Sequence, residues 1–294
     1  MGEKMQTVRI GDVTIDVVIE REGPWRRPHD FFPDFDKDIW DHYLPQLEPE
    51  MFDQHLGLML ITYQTFLIRT PKHTILVDTC TGEQKNHPPP FDFPGKERWK
   101  NELMQFGLAF EDIHYVFCTH LHVDHTGWNT TLVNGRWVPT FPNARYIFHK
   151  KEYEIWERET KLADNLAARV FKDNCLPIVE AGQAVLVDDD FAIDDTISLI
   201  PTPGHSPHHC CVVVQSKGMK AIITGDLFHH AIQCCVPKWS SCFDWDGKQA
   251  IVSRERFLVD VADTDILILP IHFPKPTAGF ICTSGDHFHY KFKR

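Results

Sequence analysis

The chain has 294 residues, of which 43% are hydrophobic and 24% are charged, and its formal net charge is −11 at pH 7. This length and composition are typical of a globular protein with one large domain or two modest ones. The acidic balance argues against a nucleic-acid-binding surface. No run of about eighteen apolar residues is present to cross a membrane, and the N-terminus lacks an apolar signal core. We therefore expect a cytoplasmic protein without a nucleic-acid or membrane partner.

The N-terminal third combines predicted strands with one irregular segment. Residues 6–20 alternate in polarity and predict a hairpin that turns at Gly11–Asp12. Residues 21–55, here called the N-terminal arm, are rich in proline, aromatic residues and aspartate, with a short helix predicted near Asp36–Tyr43. So many aromatic side chains suggest that the arm packs on the core, lines a pocket or contacts another subunit, so a homodimer is possible. Strands follow at residues 58–69 and 73–80.

The remainder alternates between strands and helices. This order, with hairpins early and late, predicts an α/β fold of the αββα sandwich type, as one domain over residues 1–294. Residues 265–270 are predicted to be the final strand, followed by a tail that ends the domain. The other predicted elements are helices at 96–107, 150–174 (one helix or a pair) and 247–263, the last capped by Asp246, strands at 113–118, 145–149, 184–187 and 197–200, and hairpin turns at Asn134–Gly135 and Lys217–Gly218.

The nine cysteines are odd in number. None of them forms a Cys-x-x-Cys pair, so a separate zinc ribbon is not expected. We expect reduced thiols that pack as small apolar groups. Cys234, Cys235 and Cys242 lie close together in the sequence, and oxidation or metal binding by this group is the alternative.

The segment THLHVDHTG at residues 119–127 is the most informative motif. It places His120, His122, Asp124 and His125 within six residues, directly after an apolar, β-favouring stretch. Imidazole and carboxylate groups are the ligands that zinc and similar metals take. A solvated histidine-rich turn is the alternative, but three further segments fit the same kind of site.

Each of these segments has a metal-ligand type of residue at the end of an apolar strand. His205 follows the strand near 196–200, Asp226 follows AIIT at 221–224, and His272 follows ILIL at 266–269. Strand ends are where α/β folds build their sites. The repeated placement therefore predicts that these residues serve one metal-dependent site.

The order HxHxDH, His, Asp, His resembles the metallo-β-lactamase superfamily of hydrolases over roughly residues 60–280. The resemblance implies one metal held by His120, His122 and His205, a second held by Asp124, His125 and His272, and Asp226 bridging the two. It also implies that Asp78 supports the metal loop from the end of its strand. Aspartate rather than cysteine at the bridging position is unlike the true β-lactamases.

Within the superfamily, the motif spacing is most similar to the N-acyl-homoserine lactonase and methyl parathion hydrolase branch. The resemblance implies a di-zinc hydrolase in which a bridging hydroxide attacks a lactone or ester carbonyl. Asp124 and Asp226 are the predicted catalytic residues, and the partner is a small-molecule ester or lactone. Other divalent metals remain possible.

Five alternatives are weighed at this stage. An organophosphate or aryl ester hydrolase belongs to the same branch, and a glyoxalase-II-like thioesterase has the same ligand set, although the basic C-terminal region usual for the latter is not evident. An RNA-processing nuclease of the superfamily would need a basic, extended surface, whereas this chain is acidic. An iron persulfide dioxygenase is a different reaction class, and the full second-site set of Asp124, His125 and His272 argues against it. The last alternative is a metal-dependent binding protein without turnover.

Overall fold

The computed structural model describes residues 7–294, which fall into two compact units. Unit 1 contains the described residues up to Arg21 together with Tyr63–Phe191, and unit 2 contains Glu22–Thr62 and Ala192–Arg294. The strands are β1 Val8–Ile10, β2 Val13–Arg26, β3 Phe52–Asp53, β4 Leu58–Arg69, β5 Thr74–Val77, β6 Tyr115–Phe117, β7 Thr130–Val133, β8 Arg136–Pro139, β9 Arg145–His149, β10 Ala184–Val187, β11 Ala192–Ile193, β12 Ile197–Pro201, β13 Cys210–Ser216, β14 Met219–Ile223, β15 Leu267–Leu269, β16 Gly279–Ser284 and β17 His287–Phe292. The helices are α1 Pro28–Phe31, α2 Lys37–Tyr43, α3 Glu97–Met104, α4 Lys150–Leu162, α5 Leu166–Asn174, α6 Leu176–Glu180, α7 Ile232–Cys235 and α8 Gly247–Val261.

The first sheet has eight strands in the order β1-β2-β4-β5-β6-β9-β10, with β3 paired to β4. Strands β5, β6, β9 and β10 run parallel to one another. The connections between them in unit 1 include helices α3 to α6. Parallel strands that are buried on both faces have continuous apolar sequences. Strand β5, with the sequence TILV, has this pattern.

The second sheet, in unit 2, has seven strands in sequence order from β11 to β17. Neighbouring strands are antiparallel, except that β14 and β15 are parallel. A parallel pair needs a crossover connection, and the chain between β14 and β15 contains α7 and α8. Asp246 accepts a hydrogen bond from the backbone N–H of Gln249 at 3.1 Å and so caps α8 as predicted.

A close backbone contact in unit 1 explains the glycine that ends the THLHVDHTG motif. A Cβ atom on Gly127 would lie 2.0 Å from the carbonyl carbon of Thr81, and one on Gly82 would lie 2.5 Å from the carbonyl carbon of Gly127. Only glycine permits this approach. The fully buried carboxylate of Glu20 accepts hydrogen bonds from the backbone N–H groups of Thr81 and Gly82 and from the Trp128 indole, which joins both sides of the contact.

Most predicted elements are confirmed, and the prediction for the C-terminal tail is wrong. Residues 265–270 contain β15, but β16 and β17 follow it as a hairpin that turns at Gly285. The alternating polarity of HFHYKF, after a Ser-Gly-Asp turn, is a hairpin signal. The first hairpin is confirmed, although β2 continues beyond residue 20 to Arg26.

The aromatic residues of the N-terminal arm are part of the core of unit 2. Phe31, Phe32 and Trp40 are buried and pack with residues of α7 and with Trp239. Of the three alternatives for the arm, packing on the core is therefore observed. Among residues 7–294, no helix is long and apolar enough to span a membrane.

Candidate metal centre

In unit 1, the parallel strands β5 and β6 bring two predicted segments to the same sheet edge. Asp78 directly follows β5, and the THLHVDHTG motif begins two residues after β6. The backbone N–H of Asp78 donates to the carbonyl oxygen of Phe117 at 2.9 Å. Asp78 has a left-handed backbone with φ of 55°, a conformation that aspartate tolerates better than most residues.

The Asp78 carboxylate organises the motif. It accepts hydrogen bonds from the backbone N–H and hydroxyl of Thr119, both at 2.8 Å, and lies 2.8 Å from Nδ1 of His125. Burial raises the pKa of Asp78, while His125 acts in the opposite direction. Because Nδ1 of His125 is engaged by this oxygen, Nε2 is the nitrogen left to face a metal. The predicted supporting role of Asp78 therefore has a matching contact.

The other residues of the motif lie close to His125. The ring of His120 is 4.0 Å from that of His125 and 4.5 Å from that of His122, measured between centroids. A carboxylate oxygen of Asp124 is 3.8 Å from Nε2 of His125. The structure thus brings the four predicted residues of this unit into one cluster.

In unit 2, the strand directions bring three predicted residues to one sheet edge. Asp226 and His272 each lie three residues beyond their strands, β14 and β15, which are parallel. His205 lies in the loop from β12 to β13. Because β13 is antiparallel to both β12 and β14, the end of β12 lies at the same edge as the end of β14.

Asp226 is the centre of the unit 2 cluster. Its carboxylate oxygens lie 3.1 Å from Nε2 of His205, 3.0 Å from Nε2 of His272 and 3.2 Å from Nε2 of His229. All four side chains are buried. Burial opposes charge on His205, but Asp226 and Asp244 together raise the pKa of His205 to about 9. One buried carboxylate thus faces three imidazoles.

The outer nitrogens of two of these imidazoles are held by oxygen atoms. Nδ1 of His205 is 2.8 Å from Oδ1 of Asp244, and Nδ1 of His272 is 2.9 Å from the carbonyl oxygen of Thr62. These contacts direct both Nε2 atoms towards Asp226. Metal-binding histidines are usually held in this way by an oxygen on the second nitrogen.

The donor atoms of this unit fit a metal ion. Ligand atoms of Asp226, His229 and His272 all lie within 4.8 Å of one another, and the same holds for His205, His229 and Asp244. Buried imidazole and carboxylate donors suit zinc and other first-row metals.

Two residues of this cluster were not among the predicted ligands. His229 lies three residues after Asp226 and contacts its carboxylate, and this short spacing was the available signal in the sequence. Asp244 had no such signal, because it lies 39 residues from His205. Burial disfavours its charge, yet His205 and Arg254 hold the pKa of Asp244 well below its usual range.

Known proteins share the sequence pattern that surrounds these clusters. The model of the metallo-beta-lactamase superfamily matches residues 62–258. An N-acyl homoserine lactonase from Bacillus cereus is 26% identical over 174 residues, which cover 55% of this chain and 61% of that protein. An atrochrysone carboxyl ACP thioesterase from Claviceps purpurea is 27% identical over 172 residues, covering 56% of this chain and 40% of the thioesterase. The chain thus spans about three fifths or less of these relatives.

A solved structure shows the same fold. AidC, described as a dizinc quorum-quenching lactonase and solved in complex with a product, superposes with a TM-score of 0.78 over 99% of this chain and 97% of its own, at 22% identity. This likeness confirms the predicted metallo-β-lactamase type of α/β fold. Because the family model matches well over half of the chain, the protein belongs to the metallo-beta-lactamase superfamily.

Proposed function

We propose that this protein is a metal-dependent hydrolase that opens a lactone or cleaves an ester of a small molecule. The observation that carries the proposal is the Asp226 carboxylate, buried and within 3.2 Å of three imidazole nitrogens. A structural metal site would be closed by its ligands, whereas mixed histidine and aspartate sets are typical of catalytic sites that keep a position open. The similarity to N-acyl homoserine lactonases supports the lactone in particular.

The ligand assignment follows the pattern of the superfamily. His120, His122 and His205 would hold one metal, and Asp124, His125 and His272 would hold the other. Asp226 would bridge the two, and zinc is the metal that these donors suit. Such metals polarise a carbonyl oxygen and lower the pKa of water.

The surrounding residues keep the proposed ligands in a defined orientation. Asp78, Asp244 and the carbonyl oxygen of Thr62 each engage the Nδ1 atom of a histidine, so that its ring cannot rotate without loss of a buried contact. Preorganisation of this kind avoids reorganisation during the reaction.

Asp124 differs from Asp226 in its access to solvent. Its side chain is 13% exposed, against 4% for Asp226. We therefore assign to Asp124 the relay of a proton, which its carboxylate would accept from the attacking water and then donate to the leaving alkoxide, and to Asp226 the fixed bridging role.

A thioesterase is the second candidate function, favoured by the similarity to the Claviceps purpurea thioesterase. The same residues would serve, because a thioester and an ester present the same acyl carbon for attack. Aryl phosphotriester hydrolysis remains the predicted alternative within the branch. One domain over residues 1–294, a cytoplasmic location and a homodimer also stay predictions.

The test combines elemental mass spectrometry of the purified protein with turnover of four substrates. These are an N-acyl homoserine lactone, an aryl ester, a thioester and an aryl phosphotriester. About two zinc ions per chain with lactone or ester turnover is the expected result. Bound iron together with inactivity on all four substrates would contradict the proposal.

A further inference from the structure

Unit 2 contains a groove whose lining differs from that of the proposed metal centre. The groove has a volume of about 480 Å³ and is lined by residues of β12, β14 and α8 and by the chain next to β12 and β15. Every lining residue belongs to unit 2, and within the described part of the chain none of them is a proposed metal ligand. Small-molecule sites typically have volumes of about 300–1,000 Å³. The groove is therefore large enough for a ligand of its own.

The floor of the groove is apolar and continuous with the core of unit 2. Phe257 and Val261 of α8 line it and are buried members of that core. Ile200 and Ile266 also line it, and both remain partly exposed where they pack against the same core cluster. Val252 of α8 completes the lining and is 57% exposed. A ligand in the groove would thus cover apolar surface that the fold leaves open to water.

Three charged side chains line the groove, and one of them is not neutralised. Nε of Arg256 lies 3.8 Å from a carboxylate oxygen of Asp260, so these two charges oppose each other. Lys220 is half-buried, and its ammonium group makes no ion pair or side-chain hydrogen bond within residues 7–294. The lining therefore carries one uncompensated positive charge in a chain whose net charge is −11. This balance suits a ligand with a single negative charge, because Asp260 would repel a dianion.

The neutral polar groups of the lining are already engaged within the protein. The hydroxyl of Ser253 donates to the carbonyl oxygen of Pro203 at 2.6 Å. The hydroxyl of Thr202 lies 2.8 Å from Nδ1 of His209, whose Nε2 accepts from the backbone N–H of Asp226 at 3.0 Å. These contacts fix the wall between β12 and α8, and they leave the ammonium group of Lys220 as the polar group available to a ligand.

We propose that this groove is a binding site for an amphipathic monocarboxylate, with its aliphatic chain on the apolar floor and its carboxylate at Lys220. A single ion pair at a half-buried lysine contributes little affinity. The chain supplies most of it, because each methylene group that becomes fully buried strengthens binding by about threefold to fourfold. Lys220 selects the head group and sets the direction of the chain. The site is independent of the proposed hydrolysis.

The test is isothermal titration calorimetry of the metal-loaded protein with sodium octanoate at physiological ionic strength. We expect saturable binding that Val252→Asp weakens at least about tenfold, because the new carboxylate repels the ligand and removes apolar surface. Val259→Asp is the matched control, since Val259 is also an exposed valine of α8, at 70%, but lies outside the groove lining. Its affinity should stay within about twofold of wild type.

A second pair of variants tests the head group. Lys220→Met keeps a long side chain without the charge and should weaken octanoate binding about threefold to tenfold. Lys293→Met removes an exposed lysine of unit 2 outside the groove lining and should have little effect. The uncharged 1-octanol should bind wild type and Lys220→Met equally well, because it has no carboxylate for the ammonium group to contact.

Four results would overturn the inference, and none of them depends on turnover, so failure of the proposed function is a separate outcome. The first is that octanoate does not bind wild type. The second is equal affinity of wild type, Val252→Asp and Lys220→Met, which would place the ligand elsewhere, for example at the metal centre. The third is equal weakening by Val252→Asp and Val259→Asp. The fourth is dimerisation in analytical ultracentrifugation that Val252→Asp abolishes, without octanoate binding, which would identify a second copy of the chain as the occupant.

Discussion

Replacement of Asp244 by asparagine tests whether this buried carboxylate positions His205. Oδ1 of Asp244 accepts from Nδ1 of His205 and from the hydroxyl of Ser241, both at 2.8 Å. Oδ2 accepts from the backbone N–H of Ser241 at 2.9 Å and lies 3.8 Å from Nη2 of Arg254. Both oxygens therefore face donors.

The amide of an asparagine cannot satisfy this arrangement in either orientation. If its NH2 group takes the Oδ1 position, that donor faces the N–H donor of His205. If the NH2 group takes the Oδ2 position, it faces the backbone N–H of Ser241 and the guanidinium group of Arg254, which are also donors. An unpaired buried donor costs about 1–3 kcal/mol. The loss of the negative charge also leaves the fully buried Arg254 with carbonyl partners alone, at Leu227, Pro237 and Trp239. We expect a total loss of about 2–4 kcal/mol in the free energy of unfolding.

The same substitution should weaken metal binding. Loss of the oxygen that orients a ligand histidine typically costs about 10–100-fold in metal affinity or activity. Zinc affinity is measured by competition with a chromophoric chelator, and stability by urea denaturation of the metal-free protein. Asp189→Asn is the control, because it also replaces a carboxylate that pairs with a histidine, His149, at 2.9 Å, and neither residue is a predicted ligand. A zinc affinity within about twofold of wild type in Asp244→Asn would refute the positioning role.

Three further predictions concern the ligands, the arm and the response to pH. Asp226→Ala should abolish zinc binding and turnover together, because three imidazoles lose the carboxylate that they share. A variant with full metal content and full turnover would overturn the assignment of Asp226 as a metal ligand. Phe32→Ala removes a fully buried ring whose centroid lies 5.6 Å from that of Trp239. It should lower the free energy of unfolding, measured by urea denaturation, by about 3–5 kcal/mol. A decrease of less than about 1 kcal/mol would show that the arm is not part of the core. Burial lowers the pKa of His230 to about 4, against an ordinary value of 6.5, although a hydrogen bond to Met51 acts in the opposite direction. A lowered pKa means that the folded state binds a proton on His230 less readily than the unfolded state does. The free energy of unfolding is therefore not reduced by this group above about pH 6.5, and it falls as the pH decreases to about 4, by about 3 kcal/mol at most. His230→Gln should therefore lose less unfolding free energy than wild type between about pH 7 and about pH 4.5, and an equal loss in both proteins would contradict this account of His230.

The sequence by itself was sufficient to predict the fold class, and it also indicated the segments that carry the proposed ligands. Strand β14, with the sequence MKAII, is an apolar run that stops shortly before Asp226, and the same pattern precedes His205 and His272. Such local patterns can be recognised in a sequence because the side chains of a strand follow a fixed period and only a few residue types, chiefly glycine and proline, end it. The tail hairpin β16–β17 had a comparable signal in its alternating polarity, and its omission was an error of interpretation rather than a limit of the sequence.

The contacts that orient the proposed ligands were decided only by the tertiary structure. Asp244 meets His205 across 39 residues, Thr62 meets His272 across 210 residues, and Phe31 meets His229 although the arm shows no regular period. No local pattern encodes these pairs, because they arise when strand order and direction bring distant loops to one sheet edge. Residue type and strand ends are therefore enough to predict the metal ligands, whereas the oxygen atoms that orient these side chains and the rings that surround them depend on packing between segments far apart in the sequence.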